Sequence, residues 1–242
     1  MTPAAPSGEP VRLSKRVAAL VPCSRSEAER YIEGGWVRVD GEVVELPQAR
    51  VAPAQAVTLD PEASLLALAP LTVLANIAGD GSPTSLTIED RGPEDRSGLR
   101  VTATQLRQLR ELLPLPDGAQ GLAVYSQDPR IVRKLTEDAL AIEQEWVVQV
   151  QGEIAQDGLA RLQQLAAPRI TLPSGRPPLK ASWQSEQRLR LAFKGIDPQQ
   201  IPALCGQVGL VALQGRRLRV GRLPLAGLPL GQWRALVPHE RF

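Results

Sequence analysis

The stretch 24–44, SRSEAERYIEGGWVRVDGEVV, constrains the fold of this chain more than any other segment. Ser24 followed three residues later by Glu27 is the capping-box pattern that begins a helix. The pair Gly34-Gly35 predicts the end of that helix. Apolar and polar residues then alternate around Asp40-Gly41, a pair that is favoured in two-residue hairpin turns. The stretch therefore predicts a capped helix followed directly by a β-hairpin.

A second helix and a short strand complete a small predicted domain at residues 11–60. Apolar residues recur at helical spacing before Pro22, and AVTLD at 56–60 is typical of a short strand. Residues 1–10 are rich in proline, alanine, serine and glycine, and we expect them to be disordered. The segment 61–70 has proline at both ends and is interpreted as a linker. A second domain is therefore predicted at 71–242.

Strands and helices alternate irregularly in this second region. Strands are predicted at 71–77, 121–126, 145–154 and 188–196, and helices at 102–113, 128–140 and 197–209. Asp128-Pro129 and Asp197-Pro198 are typical of helix starts, with an aspartate cap and a proline in the first turn. This order predicts an α+β fold, with a mixed, mostly antiparallel sheet and flanking helices.

The composition excludes several classes of protein. The chain has 242 residues, of which 43% are hydrophobic, and no apolar run approaches the ~20 residues of a membrane helix. The N-terminus lacks the pattern of a signal peptide, so we expect a cytoplasmic location. Two cysteines and one histidine, His239, cannot assemble a cluster of soft metal ligands, and we expect neither a metal nor a cofactor. Any catalysis would therefore depend on carboxylates.

Residues 11–60 carry a specific set of residues in order: Arg12-Leu13, SRSEA at 24–28, Ile32, Gly35 and VRVDG at 37–41. With these residues the region resembles the small RNA-binding domain named after ribosomal protein S4. A local basic face is sufficient to hold phosphates. The candidate phosphate contacts are Arg12, Lys15, Arg16, Arg25 and Arg38. The alternative is that these cations are solvated helix charges without a ligand.

The rest of the chain adds further matches: GL at 121–122, SQD at 126–128, EWVVQVQG at 145–152, RLRVG at 217–221 and GQWRAL at 231–236. With the first domain, they make the chain resemble the bacterial rRNA pseudouridine synthases over about residues 11–237. The resemblance implies a pseudouridine synthase fold, and RNA, such as rRNA or a ribosomal subunit, as the partner of a monomeric protein.

The motifs that carry the family's chemistry are changed. The family's catalytic aspartate stands five residues before a Gly-Leu pair, and here that position is Pro116. A family lysine becomes Ile77, and the tyrosine that packs on the target base becomes Trp146. The arginines of a basic helix are absent from 199–203. These changes favour a catalytically inactive protein over an active synthase.

Asp117 is the one carboxylate close to the lost catalytic position. Pro-Asp-Gly at 116–118 is a turn sequence, so the simpler interpretation is that Asp117 only turns the chain. The alternative is an active synthase that uses Asp117 through a shifted loop. A further alternative is that Leu113, Leu115, Ile201 and Leu204 line an apolar groove for a protein partner.

The C-terminal region supplies the remaining candidate RNA contacts. The segment 216–222 holds four arginines without an acid, and Arg216, Arg217 and Arg219 are predicted to form a second basic edge. The alternative is that Arg217 and Arg219 point outward from a strand and bind nothing. Trp146 would stack on a base, or pack in the core between valines.

Overall fold

The structure is a computed structural model that describes residues 9–79, 85–165 and 179–242. The predicted disorder of the first eight residues, and part of the segment after the fifth helix, lie outside the described residues. The chain divides into two compact units. The first comprises Met1–Ala69 together with Arg100–Gln108, and the second comprises Pro70–Leu99 and Leu109–Phe242. The segment 100–108 falls within the second domain predicted from sequence, whereas in the structure it packs with the first unit.

Residues 11–59 of the first unit form two helices and five short strands. These elements are β1 (Val11–Arg12), α1 (Leu13–Leu20), α2 (Arg25–Glu33), β2 (Val37–Val39), β3 (Glu42–Val43), β4 (Arg50–Val51) and β5 (Val57–Leu59). Three strands form an antiparallel sheet in the order β3-β2-β5, and β1 pairs with β4. Asp40 and Gly41 have φ values of 52° and 90°, the left-handed pair that a type I′ turn requires. The predicted hairpin is confirmed.

Both helices bury one face in the core of this unit. Leu13 and Val17 of α1 pack against Ala28 and Ile32 of α2, all fully buried. The predicted capping box is present, since the Ser24 hydroxyl and the Glu27 carboxylate each accept the other residue's backbone N–H. Leu20, the last residue of α1, lies outside this buried face and is 53% exposed.

Arg100 makes several of the contacts that hold the segment 100–108 in the first unit. The Arg100 guanidinium lies 3.6 Å from the centroid of the Trp36 ring, and its Nε donates to the Gly34 carbonyl at 3.0 Å. It also forms an ion pair with Asp60 at 3.5 Å. Cation–π contact and hydrogen bonds act on this one side chain. Glu45 adds to them, because its carboxylate accepts the backbone N–H groups of Ala103 and Thr104 at 2.8 and 2.7 Å.

The helix predicted over 102–113 is wrong in its second half. Helix α3 covers only Ala103–Arg107, and the chain then enters strand β7 (Arg110–Leu112). Leu112 is buried where β7 pairs with the next strand along the chain. Sheet hydrogen bonds and burial at this point outweigh the helical spacing of the leucines.

The second unit is built on a nine-stranded sheet. Its main path has the order β10-β11-β9-β12-β8-β6-β14, while β7 pairs with β8 and β13 with β12. Only the β12–β8 pair is parallel among the described strand pairs of this sheet. Besides β7, the strands are β6 (Thr72–Ile77), β8 (Gln120–Ser126), β9 (Gln144–Gln151), β10 (Leu179–Ser185), β11 (Arg188–Phe193), β12 (Val211–Val220), β13 (Leu223–Pro224) and β14 (Trp233–Ala235).

Helices α4 (Pro129–Glu137), α5 (Gly158–Leu165) and α6 (Ile201–Gly206) pack on this sheet. Asp128 and Asp197 accept backbone N–H groups at the starts of α4 and of the 3₁₀ turn before α6, as the sequence predicted. α5 and α6 cover a core cluster that includes Trp146 and Val148 of β9. Side chains alternate along a strand, so the opposite face of β9 presents Glu145, Val147 and Gln149.

The helices within the described ranges are all short. None of them is long and apolar enough to cross a membrane.

Candidate nucleic-acid interface

The predicted basic face of the first unit is exposed. Arg12, Lys15 and Arg16 have no carboxylate partner among the described residues. Arg25 forms an ion pair with Glu29 at 3.3 Å, and Arg38 donates to the Gly41 carbonyl at 2.9 Å. The first three cations are therefore the ones most available to an anionic ligand.

Arg50 extends this face, and sequence reasoning missed it. In the β1–β4 pair the register sets Arg12 directly opposite Arg50, and both side chains are exposed. Like charges directly opposite each other on a sheet are unfavourable. A phosphate bound between them would offset that repulsion. Arg50 belongs to β4, a strand of two residues that the sequence did not predict. Only the register of β1 with β4 places it opposite Arg12.

The three positions that the resemblance assigns to the family's chemistry lie close together in the second unit. Pro116, Trp146 and Ile201 line one small cavity of about 120 Å³, together with Asp117, other neighbours in these segments and residues 212–215 of β12. These three segments are distant in sequence, and the fold brings them together. In place of an acid, a phenol and a basic helix, the cavity has a proline ring, an indole and an aliphatic side chain.

Asp117 lies in a turn at the edge of this cavity. The Ala119 N–H donates to the Pro116 carbonyl at 2.9 Å, which closes a four-residue turn. Gly118, the third residue of the turn, has a φ of 73°, a conformation that glycine adopts without strain. The Asp117 side chain is exposed, and within the described ranges its carboxylate has neither a hydrogen bond nor an ion pair.

Trp146 is fully buried, and its indole N–H donates to Gln144 Oε1 at 3.3 Å. Of the two alternatives for this residue, the structure shows core packing, with no exposed ring face for a base. The reason is strand alternation, which directs Trp146 toward the side of the sheet that α5 and α6 cover.

Arg217 is a correction to the predicted basic edge, because its side chain is fully buried. It stands opposite Trp146 in the register of β12 with β9, and so shares the covered face. Its Nε donates to the Leu122 carbonyl and its Nη1 to the Leu113 carbonyl, both at 2.6 Å. The Nη2 group has no partner among the described residues. Arg217 therefore donates to backbone carbonyls on both sides of the turn at 116–119, and its side chain is not at the surface to contact a phosphate.

The Arg217 side chain carries its positive charge although it is buried. Burial lowers the pKa of its guanidinium to about 9, and the nearby Glu111 carboxylate acts in the opposite direction. Because that pKa remains above neutral pH, the side chain is a buried cation whose hydrogen-bond acceptors are mainly backbone carbonyls.

Arg219 and Arg216 lie on the other face of the sheet. Arg219 forms ion pairs with Glu143 at 2.6 Å and with Glu145 at 3.1 Å. Its charge is therefore balanced within the protein. Arg216 lines an open cleft and has no carboxylate partner among the described residues.

The predicted apolar groove for a protein partner does not form as one surface. Leu115, Leu204 and Ile201 pack in the cluster around Trp146, whereas Leu113 packs against a different core cluster. Leu113 has a φ of 52°, in the left-handed region. The chain changes direction at this residue, so Leu113 and Leu115 pack into different clusters.

Comparison with known proteins defines the two units. The family model of the S4 domain matches residues 11–57. A crystal structure of a pseudouridylate synthase superposes with a TM-score of 0.52 at 16% identity, covering 94% of this chain and 96% of the other. The chain is thus an S4-domain protein with the pseudouridine synthase fold.

Relatives by sequence identify it further. The dual-specificity RNA pseudouridine synthase RluF of Escherichia coli strain K12 is 26% identical over 236 residues, which are 95% of this chain and 77% of the relative. An uncharacterized RNA pseudouridine synthase of Aquifex aeolicus is 24% identical over 231 residues, covering 95% and 94% of the two chains. The protein is a homologue of these RNA pseudouridine synthases, as the sequence motifs predicted.

Proposed function

We propose that this protein binds structured RNA, namely rRNA or a ribosomal assembly intermediate, and does not convert uridine to pseudouridine. One observation carries the proposal. The cavity where the corresponding positions meet is lined by Pro116, Trp146 and Ile201 and has a volume of about 120 Å³. The position where the family places its acid is Pro116, and the one carboxylate of the described lining, that of Asp117, stands one residue later.

The chemistry of the reaction supports inactivity. Isomerising uridine breaks a glycosidic bond, rotates the base and rejoins it through carbon, and the family uses one carboxylate held by a basic partner. Asp117 is exposed in its turn and has no cationic partner among the described residues. Displacing a catalytic group by an ångström costs about 100-fold in rate. The loss of several positioned groups together raises the barrier further, at about 1.4 kcal/mol for each factor of ten.

RNA binding is supported by the first unit. It is an S4 domain by its match to the family model. Its cations Arg12, Lys15 and Arg16 are exposed and lack carboxylate partners in the described part of the chain, and Arg50 stands beside Arg12. Guanidinium and ammonium groups in this state are suited to phosphate contacts, which position a protein on RNA without reading its sequence.

The test measures both halves of the proposal on one preparation. Purified protein is incubated with rRNA, and with ribosomal subunits, labelled with tritium at uridine C5, and tritium release is counted against an active pseudouridine synthase. Binding to the same RNA is measured in parallel. We expect binding without tritium release.

The competing function is an active synthase that uses Asp117, and one variant separates the two. Tritium release by the wild-type protein that disappears in Asp117→Ala would make Asp117 the catalyst and refute inactivity. Release that persists in the variant would also refute it and would require a different catalytic group. Absence of RNA binding under low salt would refute the binding half.

A further inference from the structure

An open cleft lies on the face of the sheet opposite Trp146. It has a volume of about 780 Å³ and is lined mainly by β9, β11, β12 and the residues that follow β13. Val147, Leu218 and Leu225 contribute its apolar surface. The charged side chains of its described lining are Glu145, Arg188, Arg190, Arg216 and Arg219. Four guanidiniums thus face one carboxylate, which gives the cleft a positive charge.

The single carboxylate is already shared. Glu145 forms ion pairs with Arg190 at 2.6 Å and with Arg219 at 3.1 Å. Arg188 and Arg216 have no carboxylate partner among the described residues, and the Nε group of Arg216 is buried without an acceptor. A buried donor without an acceptor is unfavourable. A bound anion would supply the hydrogen-bond acceptor that this N–H lacks.

The two unpaired arginines are placed on one surface by the register of the sheet. Arg188 stands opposite Gln149 and Arg216 opposite Val147, on the two strands that flank β9. Positions 147 and 149 share a face, because side chains alternate along a strand. The two arginines are therefore separated by two strand spacings, about 10 Å across the sheet, and both face the cleft.

The cleft also contains glutamine side chains whose amide groups form no hydrogen bond within the described ranges. These four glutamines are Gln120, Gln149, Gln184 and Gln214. A glutamine amide both donates and accepts hydrogen bonds, which matches the edges of unpaired bases. The described lining includes no aromatic ring, so base stacking is not part of this surface.

We propose that this cleft binds a single-stranded segment of RNA, with phosphates at Arg188 and Arg216 and base edges at the glutamines. The proposal rests on the proposed function, in that the protein binds RNA. RNA is favoured over an acidic peptide because free amides and unpaired guanidiniums occur together here, and the chain also carries an S4 domain. Because no aromatic ring lines the cleft, its affinity comes from phosphate contacts and hydrogen bonds rather than from base stacking.

The experiment measures the affinity of the full chain for a fluorescent 12-nucleotide oligouridine by anisotropy at several salt concentrations. The double variant Arg188→Ala/Arg216→Ala is compared with Arg110→Ala/Arg241→Ala, which removes two exposed arginines from the same unit that do not line the cleft. We expect at least ~10-fold weaker binding for the cleft variant and less than ~2-fold for the control. The salt slope of log K should fall by about 0.7 for each phosphate that the variant no longer binds.

The outcomes separate this inference from the proposed function. Equal affinities of the two double variants overturn the cleft, and a polyglutamate peptide that competes as well as oligouridine overturns RNA as its ligand. If the wild-type protein binds structured rRNA but not oligouridine, the cleft proposal fails and the proposed function stands. If it binds neither RNA, both fail. Circular dichroism of the variants establishes that each one is folded.

Discussion

At the scale of single residues, Arg216 and Arg217 are neighbours in sequence with opposite environments. Arg217 is fully buried and donates to two backbone carbonyls, whereas Arg216 faces the cleft on the other side of the sheet. Successive side chains of a strand point to opposite faces of the sheet. Two adjacent arginines can therefore have different roles, one buried and structural, the other exposed to the cleft.

This contrast gives a stability prediction. Arg217→Ala leaves the Leu122 and Leu113 carbonyls without their donor and opens a cavity, and each buried carbonyl left unpaired costs about 1–3 kcal/mol. We expect the variant to lose at least ~3 kcal/mol of unfolding free energy in urea titration. Arg216→Ala is the matched control, with an expected change under ~1 kcal/mol. Similar losses for the two variants would contradict the burial of Arg217.

At the scale of elements, the loop that precedes α3 is attached to β14 by backbone hydrogen bonds between Gly92 and Trp233 and between Trp233 and Asp90, and by the Asp95 carboxylate. Asp95 accepts hydrogen bonds from the Arg91 Nε group at 2.9 Å and from the Ala235 N–H at 3.0 Å, and also from the Ser97 N–H at 2.8 Å. Burial acts to raise the pKa of Asp95, but these hydrogen bonds outweigh it and lower that pKa. These hydrogen bonds therefore favour the ionised form of Asp95.

The sign of this shift predicts a pH dependence. A carboxyl whose pKa is lower in the folded state stabilises the fold above its unfolded pKa, about 3.9, and loses that contribution as pH falls through the folded value. Asp95→Asn should therefore be clearly less stable than the wild-type protein at pH 7. The difference should narrow below about pH 4. Urea unfolding at several pH values measures it, and a difference that does not change with pH would contradict the prediction.

At the scale of the whole molecule, binding of structured RNA should depend on the exposed cations of the S4 domain. Arg12→Ala and Arg50→Ala each remove one member of the facing pair. We expect each to weaken binding of an rRNA fragment and to lower the salt slope of log K by roughly 0.7–0.9.

Arg25→Ala is the comparison for this pair, since Arg25 already forms an ion pair with Glu29 and should matter less. Salt titrations of all three variants with one RNA provide the measurement. Unchanged affinity and slope in Arg12→Ala and Arg50→Ala would show that this face does not bind the RNA.

Local signals in the sequence determined a large part of this protein. The capping box of α2, the Asp40-Gly41 turn and the aspartate-capped starts before α4 and α6 all depend on residues within a few positions of each other. Neighbouring residues suffice for these features because their hydrogen bonds and φ preferences are local. Strands β6, β8, β9 and β11 followed in the same way from continuous apolar or alternating patterns.

Tertiary structure alone decided which side chains meet and which face they occupy. The predicted helix over 102–113 became α3 and β7, because pairing with β8 buries Leu112. Arg217 became a buried cation, and Arg50 came to stand opposite Arg12. These outcomes depend on register between strands that are distant in sequence, and a shift of one residue turns every side chain to the other face. No pattern within a single strand contains that information, since the partner strand supplies it.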